Sequence, residues 1–200
     1  MIAVLDYGIG NLRSAQKALE HVGAEAVLTD DPSVVRRAAG VVLPGVGHVG
    51  RCLEALRASG LEEPAMAAID AGTPFLGICV GMQMLYDGSD EAPDVKGMGV
   101  LPGRVRLLPD GVKRPQMQWN QLDYKPNPML DGLDDPLWMY FVHSYAAEPS
   151  DDVVAYCHYG GALVAAVVRD NLWATQFHPE KSGTAGLQLL ANFVASVPGD

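Results

Sequence analysis

The sequence predicts an α/β fold: three layers, a mostly parallel central sheet with helices on both faces, and an antiparallel extension in the C-terminal half. Three observations predict it. Through the first hundred residues, short apolar runs alternate with amphipathic segments, the order that pairs strands in parallel through right-handed crossovers. From Val100 to Arg169 short strand-like runs follow one another, a pattern closer to antiparallel neighbours. A last amphipathic segment, residues 184–197, closes the chain.

Taken in order, residues 2–7 form a continuous apolar run and read as a buried strand. A helix over 12–22 puts Leu12, Ala15, Leu19 and Val22 on one face, and Gly23 ends it. Residues 24–28 give a second strand. Asp31 can cap a short helix that begins at Pro32. Residues 41–43 make a third short strand, and helical segments follow from about Gly50 to Ala71. Thr73-Pro74-Phe75-Leu76-Gly77-Ile78 reads as another buried strand, and Gly81-Met82-Gln83-Met84-Leu85-Tyr86 as a helix. Residues 87–97 are polar and rich in turn formers, so a surface loop is expected. Strands are expected over 103–107, 137–142, 153–159 and 163–169, as an edge extension of the same sheet. Tyr159-Gly160-Gly161-Ala162 forms the hairpin turn between the last two. In the closing helix Leu187, Leu190, Ala191 and Val194 face inward. No repeat, low-complexity tract or linker interrupts the pattern, so one domain over residues 1–200 is expected.

Composition narrows the function. Of 200 residues, 48% are hydrophobic, enough for a single substantial core. No stretch approaches the roughly 20 consecutive apolar residues of a membrane span, and residues 1–6 lack the basic start and cleavage site of a signal peptide. A cytoplasmic protein that does not engage a membrane is expected. The formal net charge of −10, with no Lys/Arg cluster to offset it, argues against nucleic acid as a partner. Cys52, Cys79 and Cys157 form no closely spaced pair, which disfavours a disulfide framework and a zinc site of the usual spacing.

Chemistry concentrates at Gly77-Ile78-Cys79-Val80-Gly81. A nucleophile elbow joins a strand to a helix through a sharp turn flanked by small residues, which leaves the central side chain exposed above the sheet. A helix start behind Cys79 would favour thiolate over thiol. Alone, a cysteine after an apolar strand is more often an inert core residue. Another strand, Leu172-Trp173-Ala174-Thr175-Gln176-Phe177, ends in His178-Pro179-Glu180. A cysteine nucleophile needs an imidazole to move its proton, and the imidazole needs an acceptor to fix its tautomer. Cys79, His178 and Glu180 together read as a Cys-His-Glu triad.

Gly77-Ile78-Cys79-Val80-Gly81-Met82-Gln83 and His178-Pro179-Glu180-Lys181-Ser182 resemble the nucleophile and His/Glu motifs of the class I (triad) glutamine amidotransferases. Four further segments narrow the resemblance to the glutaminase subunits of imidazole glycerol phosphate synthase, in histidine biosynthesis. They are Asp6-Tyr7-Gly8-Ile9-Gly10-Asn11-Leu12, Leu43-Pro44-Gly45-Val46-Gly47, Met117-Gln118-Trp119-Asn120 and Tyr140-Phe141-Val142-His143-Ser144-Tyr145. The resemblance runs from Ile2 to about Ala195. One departure is Gln118, where many members carry glycine before the Trp-Asn pair.

The resemblance implies glutamine hydrolysis through a Cys79 thioester, with ammonia passed to a (β/α)₈-barrel cyclase subunit in a heterodimer. That subunit makes imidazole glycerol phosphate and aminoimidazole carboxamide ribotide. No metal and no organic cofactor are implied. The Pro44–Gly47 turn ends a strand, where α/β sheets place their sites, and its glycines let main chain approach a ligand closely. By position in the family, Val46 or Gly47 together with Val80 would hold the oxyanion, and Gln83 would help bind substrate. Trp119, Tyr140 and Lys181 would face the partner, although aromatics of this kind serve cores as well as interfaces.

Other motifs count for less. Gly8-Ile9-Gly10-Asn11-Leu12-Arg13 has Arg13 in place of the third glycine of a dinucleotide-binding turn, and its bulk opposes close helix–strand packing. His21 and His158 read as surface residues. His48 could approach Cys79 but lacks an acidic neighbour, and His143 reads as bordering the site or facing the partner. Two alternatives stand at this level: a triad glutaminase of another pathway, such as anthranilate or pyridoxal phosphate synthesis, and a catalytically silent regulatory module on the same fold.

Overall fold

The structure, a computed structural model, describes residues 1–198; residues 199 and 200, the end of the expected 1–200 domain, lie outside the described residues. Four strands, β1 (Ile2–Leu5), β2 (Ala26–Thr29), β3 (Gly40–Gly45) and β4 (Phe75–Cys79), pair in parallel in the order β2-β1-β3-β4. Strand β13 (Leu172–Thr175) adds to β4, also in parallel. Every residue of β1, β3, β4 and β13 is buried. Central parallel strands covered on both faces read as continuous apolar runs for this reason.

The helices between these strands follow the sequence closely. Helix α1 (Leu12–His21) buries Leu12, Ala15, Ala18 and Leu19, while Val22 sits at its C-cap and is half-buried. Asp31 caps α2 (Pro32–Val35) by accepting the Ser33 N–H at 2.8 Å. Helices α3 (Val49–Ala58) and α4 (Glu62–Asp70) bridge β3 to β4, and α5 (Val80–Met84) starts directly from β4. Helix α6 (Gly183–Ser196) packs against α1. Its buried face is Gly186, Leu189, Leu190 and Phe193, with Leu187, Ala191 and Val194 only half-buried. The expected face is thus rotated, because Phe193 reaches Trp173 of β13 in an edge contact with ring centroids 5.9 Å apart.

Beyond β13 the main sheet continues antiparallel through β12 (Ala162–Arg169), β11 (Val153–His158), β8 (Gln116–Tyr124) and β9 (Trp138–His143). This extension adds four strands to the five of the parallel part. The expected surface loop over 87–97 is instead a hairpin, β5 (Tyr86–Ser89) with β6 (Ala92–Lys96). It joins β7 (Leu101–Leu107) and β10 (Tyr145–Ala147) in a separate four-stranded sheet, so the antiparallel half is not a single edge extension. Polar composition hid these strands: Asp87, Pro93, Asp94 and Lys96 point to solvent, and strands this short show little alternation. Strand β8 escaped for the same reason, since most of its residues are exposed or half-exposed. Gln118 lies exposed in its regular ladder opposite Phe141, so nothing in the backbone there requires glycine.

Candidate active site

The C-terminal ends of β3, β4 and β13 converge, and the turns that follow them line one cavity of about 520 Å³. A cavity of that size accommodates a small metabolite. Its lining includes Val46, Gly47, Cys79, Val80, Gln83, Glu91, His143, His178 and Lys181.

Cys79 closes β4 with φ 55° and ψ −110°, a conformation that costs a non-glycine residue about 1–3 kcal/mol. The neighbouring glycines make the turn possible. A Cβ on Gly81 would lie 1.9 Å from the Leu43 carbonyl oxygen, and one on Gly77 would lie 3.0 Å from Leu85. The elbow therefore sits tight against β3 and leads straight into α5. This helix has five residues, and its first N–H groups, Val80 foremost, have no intrahelical acceptor. The Cys79 side chain is almost fully buried, with the Gln176 amide 3.7 Å from the sulfur.

His178 follows β13, whose Thr175 is paired with Ile78, so the sheet register brings it beside the elbow. Its backbone N–H donates to the Tyr140 carbonyl at 3.0 Å, and the Ser182 hydroxyl donates to the His178 carbonyl at 2.7 Å. Residues Pro179–Lys181 form a single 3₁₀ turn that returns Glu180 to the ring: Nδ1–H donates to Glu180 Oε1 at 2.8 Å. Both side chains are nearly inaccessible, 1% and 2% exposed. With Nδ1 committed to a carboxylate, Nε2 faces the cavity, buried and without a partner. Burial, the strongest single influence, pushes the imidazole pKa down. The Cys79 sulfur and the Glu180 carboxylate together outweigh it and raise the value to about 9. The site thus favours imidazolium opposite the sulfur.

The Pro44–Gly47 turn runs beside this group, with Gly45 in register with Cys79. Gly47 takes φ 87°, open to glycine at little cost. The N–H groups of Val46 and Gly47 find no main-chain acceptor among the described residues. Gln83 lines the cavity, but its Nε2 already donates to Tyr145 O and Gln176 Oε1, each at 3.0 Å. Its Nε2 thereby also braces the cavity wall.

The remaining histidines separate cleanly. His48 caps α3, its Nδ1 accepting the Gly50 N–H at 3.1 Å. His21 and His158 are exposed. His143 borders the cavity; its Nδ1–H donates to Tyr145 O at 2.8 Å, and burial pulls its pKa down to about 4, so it stays neutral. Of the expected partner-facing residues, Trp119 and Lys181 are exposed and Tyr140 is half-buried. Trp119 and Tyr140 are cross-strand neighbours in edge contact, with ring centroids 6.1 Å apart. Met117 and Trp138, 62% and 47% exposed, extend this apolar face, which the sequence reading had not assembled. Glu91 was also missed. It comes from the unrecognised hairpin, and its Oε2 accepts the Val49 N–H at 2.7 Å beside the cavity. Among the described residues, no group of three or more His, Cys, Asp or Glu side chains is disposed to hold a metal ion, and no helix is long and apolar enough to cross a membrane.

Comparison with known proteins agrees with this geometry. The profile of the family "Glutamine amidotransferase class-I" matches residues 3–197. The imidazole glycerol phosphate synthase subunit HisH of Methanothermobacter thermautotrophicus is 50% identical over 196 residues, covering 97% of this chain and 98% of that one. The subunit of the same name from Syntrophotalea carbinolica is 48% identical over 203 residues, covering 96% and 98%. In fold, the chain resembles PurLQS from Thermotoga maritima, with a TM-score of 0.77 at 21% identity over 98% of both chains. The chain belongs to the class-I glutamine amidotransferases and, within them, to the family of imidazole glycerol phosphate synthase HisH subunits.

Proposed function

We propose that this chain is the glutaminase subunit of an imidazole glycerol phosphate synthase, acting as a single domain in the cytoplasm and supplying ammonia to a cyclase subunit in histidine biosynthesis. The observation that carries the chemistry is the strained Cys79 in one cavity with a buried, Glu180-bound His178.

The Cys79 thiolate attacks the carboxamide carbon of glutamine, and the carbonyl π electrons move onto oxygen. Backbone N–H groups of Val80 and of the Val46–Gly47 turn hold that oxyanion. The His178 imidazolium gives its Nε2 proton to the departing nitrogen, the C–N bond breaks, and ammonia leaves behind a glutamyl thioester. Neutral His178 then takes a proton from water, hydroxide adds to the thioester, and collapse releases glutamate and restores the thiolate. Glu180 keeps Nδ1 protonated and stabilises the cation in both halves. Glu91 is the carboxylate placed to meet the substrate's α-ammonium group, since Glu180 is occupied by His178. Gln83 and Gln176 hold the wall around the sulfur.

Ammonia must leave toward the partner without meeting bulk water. The apolar face of Met117, Trp119, Trp138 and Tyr140 is contiguous across the β8/β9 ladder, and Met117 pairs with Val142, which lines the cavity. With Lys181 at the cavity mouth, it forms the docking surface for the cyclase. The test is the reconstituted complex carrying Cys79→Ala. Synthesis from glutamine should vanish while synthesis from added ammonium salts persists. Loss of both, or retention of both, would overturn the assignment.

A further inference from the structure

The turn that bears the oxyanion donors is held from behind by two side chains that the reaction itself does not use. Tyr7, two residues beyond β1, is buried and donates its hydroxyl to the Pro44 carbonyl at 2.5 Å. Cys52, fully buried on α3, donates its thiol to the Val46 carbonyl at 3.4 Å. Both remain donors at neutral pH. Burial, with the Cys52 and Cys79 sulfurs adding to it, pushes the Tyr7 phenol far above its ordinary range, and burial raises the Cys52 thiol to about 11. The same turn is boxed in on its other side. A Cβ on Gly45 would lie 2.7 Å from Gly81 N and 3.0 Å from the Tyr7 hydroxyl, so Gly45 fills the gap between Tyr7 and the elbow. Downstream, the His48 cap and Glu91 fix the start of α3.

A trans peptide carries its C=O and N–H on opposite sides. Holding the Pro44 carbonyl therefore aims the Gly45 N–H, and holding the Val46 carbonyl aims the Gly47 N–H. Between these two tethered peptides lies the Gly45–Val46 peptide, which no side chain ties and whose N–H has no acceptor among the described residues.

We propose that Tyr7 and Cys52 are positioning residues for glutamine hydrolysis: they clamp the peptides on either side of Gly45–Val46, so that movement of the oxyanion turn is confined to that one peptide. This rests on the glutaminase reading above and deepens it. With both clamps in place, the turn has few conformations to choose among, and the productive placement of its N–H groups is well populated. Removing a clamp spreads the turn over more conformations, which lowers the rate of the step that needs those donors. Substrate binding, which uses other groups, is untouched.

The experiment uses the full chain in complex with its cyclase, with Tyr7→Phe, Cys52→Ala and Cys52→Ser made separately. For Tyr7→Phe and Cys52→Ala, kcat for glutamate release should fall by about three- to tenfold, the scale of one buried hydrogen bond. KM for glutamine should stay within about twofold of wild type, and synthesis from ammonium salts should be unchanged. Cys52→Ser, which restores a donor, should recover most of the rate lost in Cys52→Ala. The clamp is overturned if both deletions keep wild-type kcat, if the loss falls on KM instead, if serine does no better than alanine, or if ammonia-dependent synthesis declines equally. A wild-type complex that releases no glutamate would instead sink the glutaminase reading itself, so the two failures are distinguishable.

Discussion

Glu180→Gln probes the part of the site that static geometry describes best. The amide oxygen of glutamine can still accept the Nδ1–H of His178 at the position now held by Oε1, 2.8 Å away in a nearly inaccessible setting. Tautomer and orientation survive; the negative charge does not. Burial alone would depress the His178 pKa, yet the Cys79 sulfur and the Glu180 carboxylate carry it from 6.5 to about 9. At about 1.4 kcal/mol per pH unit, that is about 3 kcal/mol in favour of imidazolium. Glu180 is one of two anions producing it, so its removal forfeits roughly 1.5–3 kcal/mol, or about 10- to 100-fold in kcat. The assay is glutamate release by the cyclase complex at saturating glutamine, repeated across pH. The variant should show that loss with KM little changed. Its alkaline limb should move to lower pH, because His178 now loses its proton earlier. Wild-type turnover with an unmoved limb would refute the reasoning and reduce Glu180 to a turn residue.

Other outcomes follow from the same geometry. Because φ 55° at Cys79 strains any residue with a Cβ, Cys79→Gly should melt above Cys79→Ala, the pair differing by about 1 kcal/mol in urea unfolding, with both inactive on glutamine; equal stabilities would mean the elbow carries no strain. His143 is buried neutral with its pKa held near 4, against 6.5 when free. On acidification the unfolded chain takes up that proton first. The stability it contributes is therefore complete above about pH 6.5 and lost toward pH 4, by up to about 3 kcal/mol. His143→Asn should flatten this acid decline in urea midpoints measured at pH 7 and pH 5, and an unchanged slope would contradict the assignment. Trp119→Ala removes an exposed aromatic anchor and should weaken cyclase binding by at least about 30-fold in a calorimetric titration; an unaltered Kd would place the interface elsewhere.

What could be read from the sequence, and what could not, divides along physical lines. Strands β1, β3, β4 and β13 are buried throughout, so their apolar runs announce them. Strands β6 and β8 expose much of their length and are written in Asp, Gln, Lys and Pro, and β5 is four residues with Asp87 and Gly88 at its centre; their hydrogen bonds, not their side chains, define them. The same contrast governs the site. Cys79, His178 and Glu180 sit in short local patterns, and the parallel pairing of β4 with β13 brings those patterns together. Glu91 reaches the cavity only through the hidden hairpin. Gln176, Tyr7 and Cys52 act across 97, 37 and 6 positions of the chain, on Cys79, Pro44 and Val46. No local spacing signals contacts of that kind. The rotated face of α6 belongs to this class as well, since the Trp173–Phe193 contact decides it from another element.

The central claim is that Cys79, alone among three buried cysteines, is the nucleophile that glutamine meets. Its most direct test is to incubate the cyclase complex with a diazoketone analogue of glutamine and weigh the intact chain, then map the adduct by peptide mass analysis. One equivalent on Cys79, none on Cys52 or Cys157, and none in Cys79→Ala or in the presence of excess glutamine is the predicted result. Labelling at another residue, or an unlabelled Cys79 in a complex that still releases glutamate, would contradict the account.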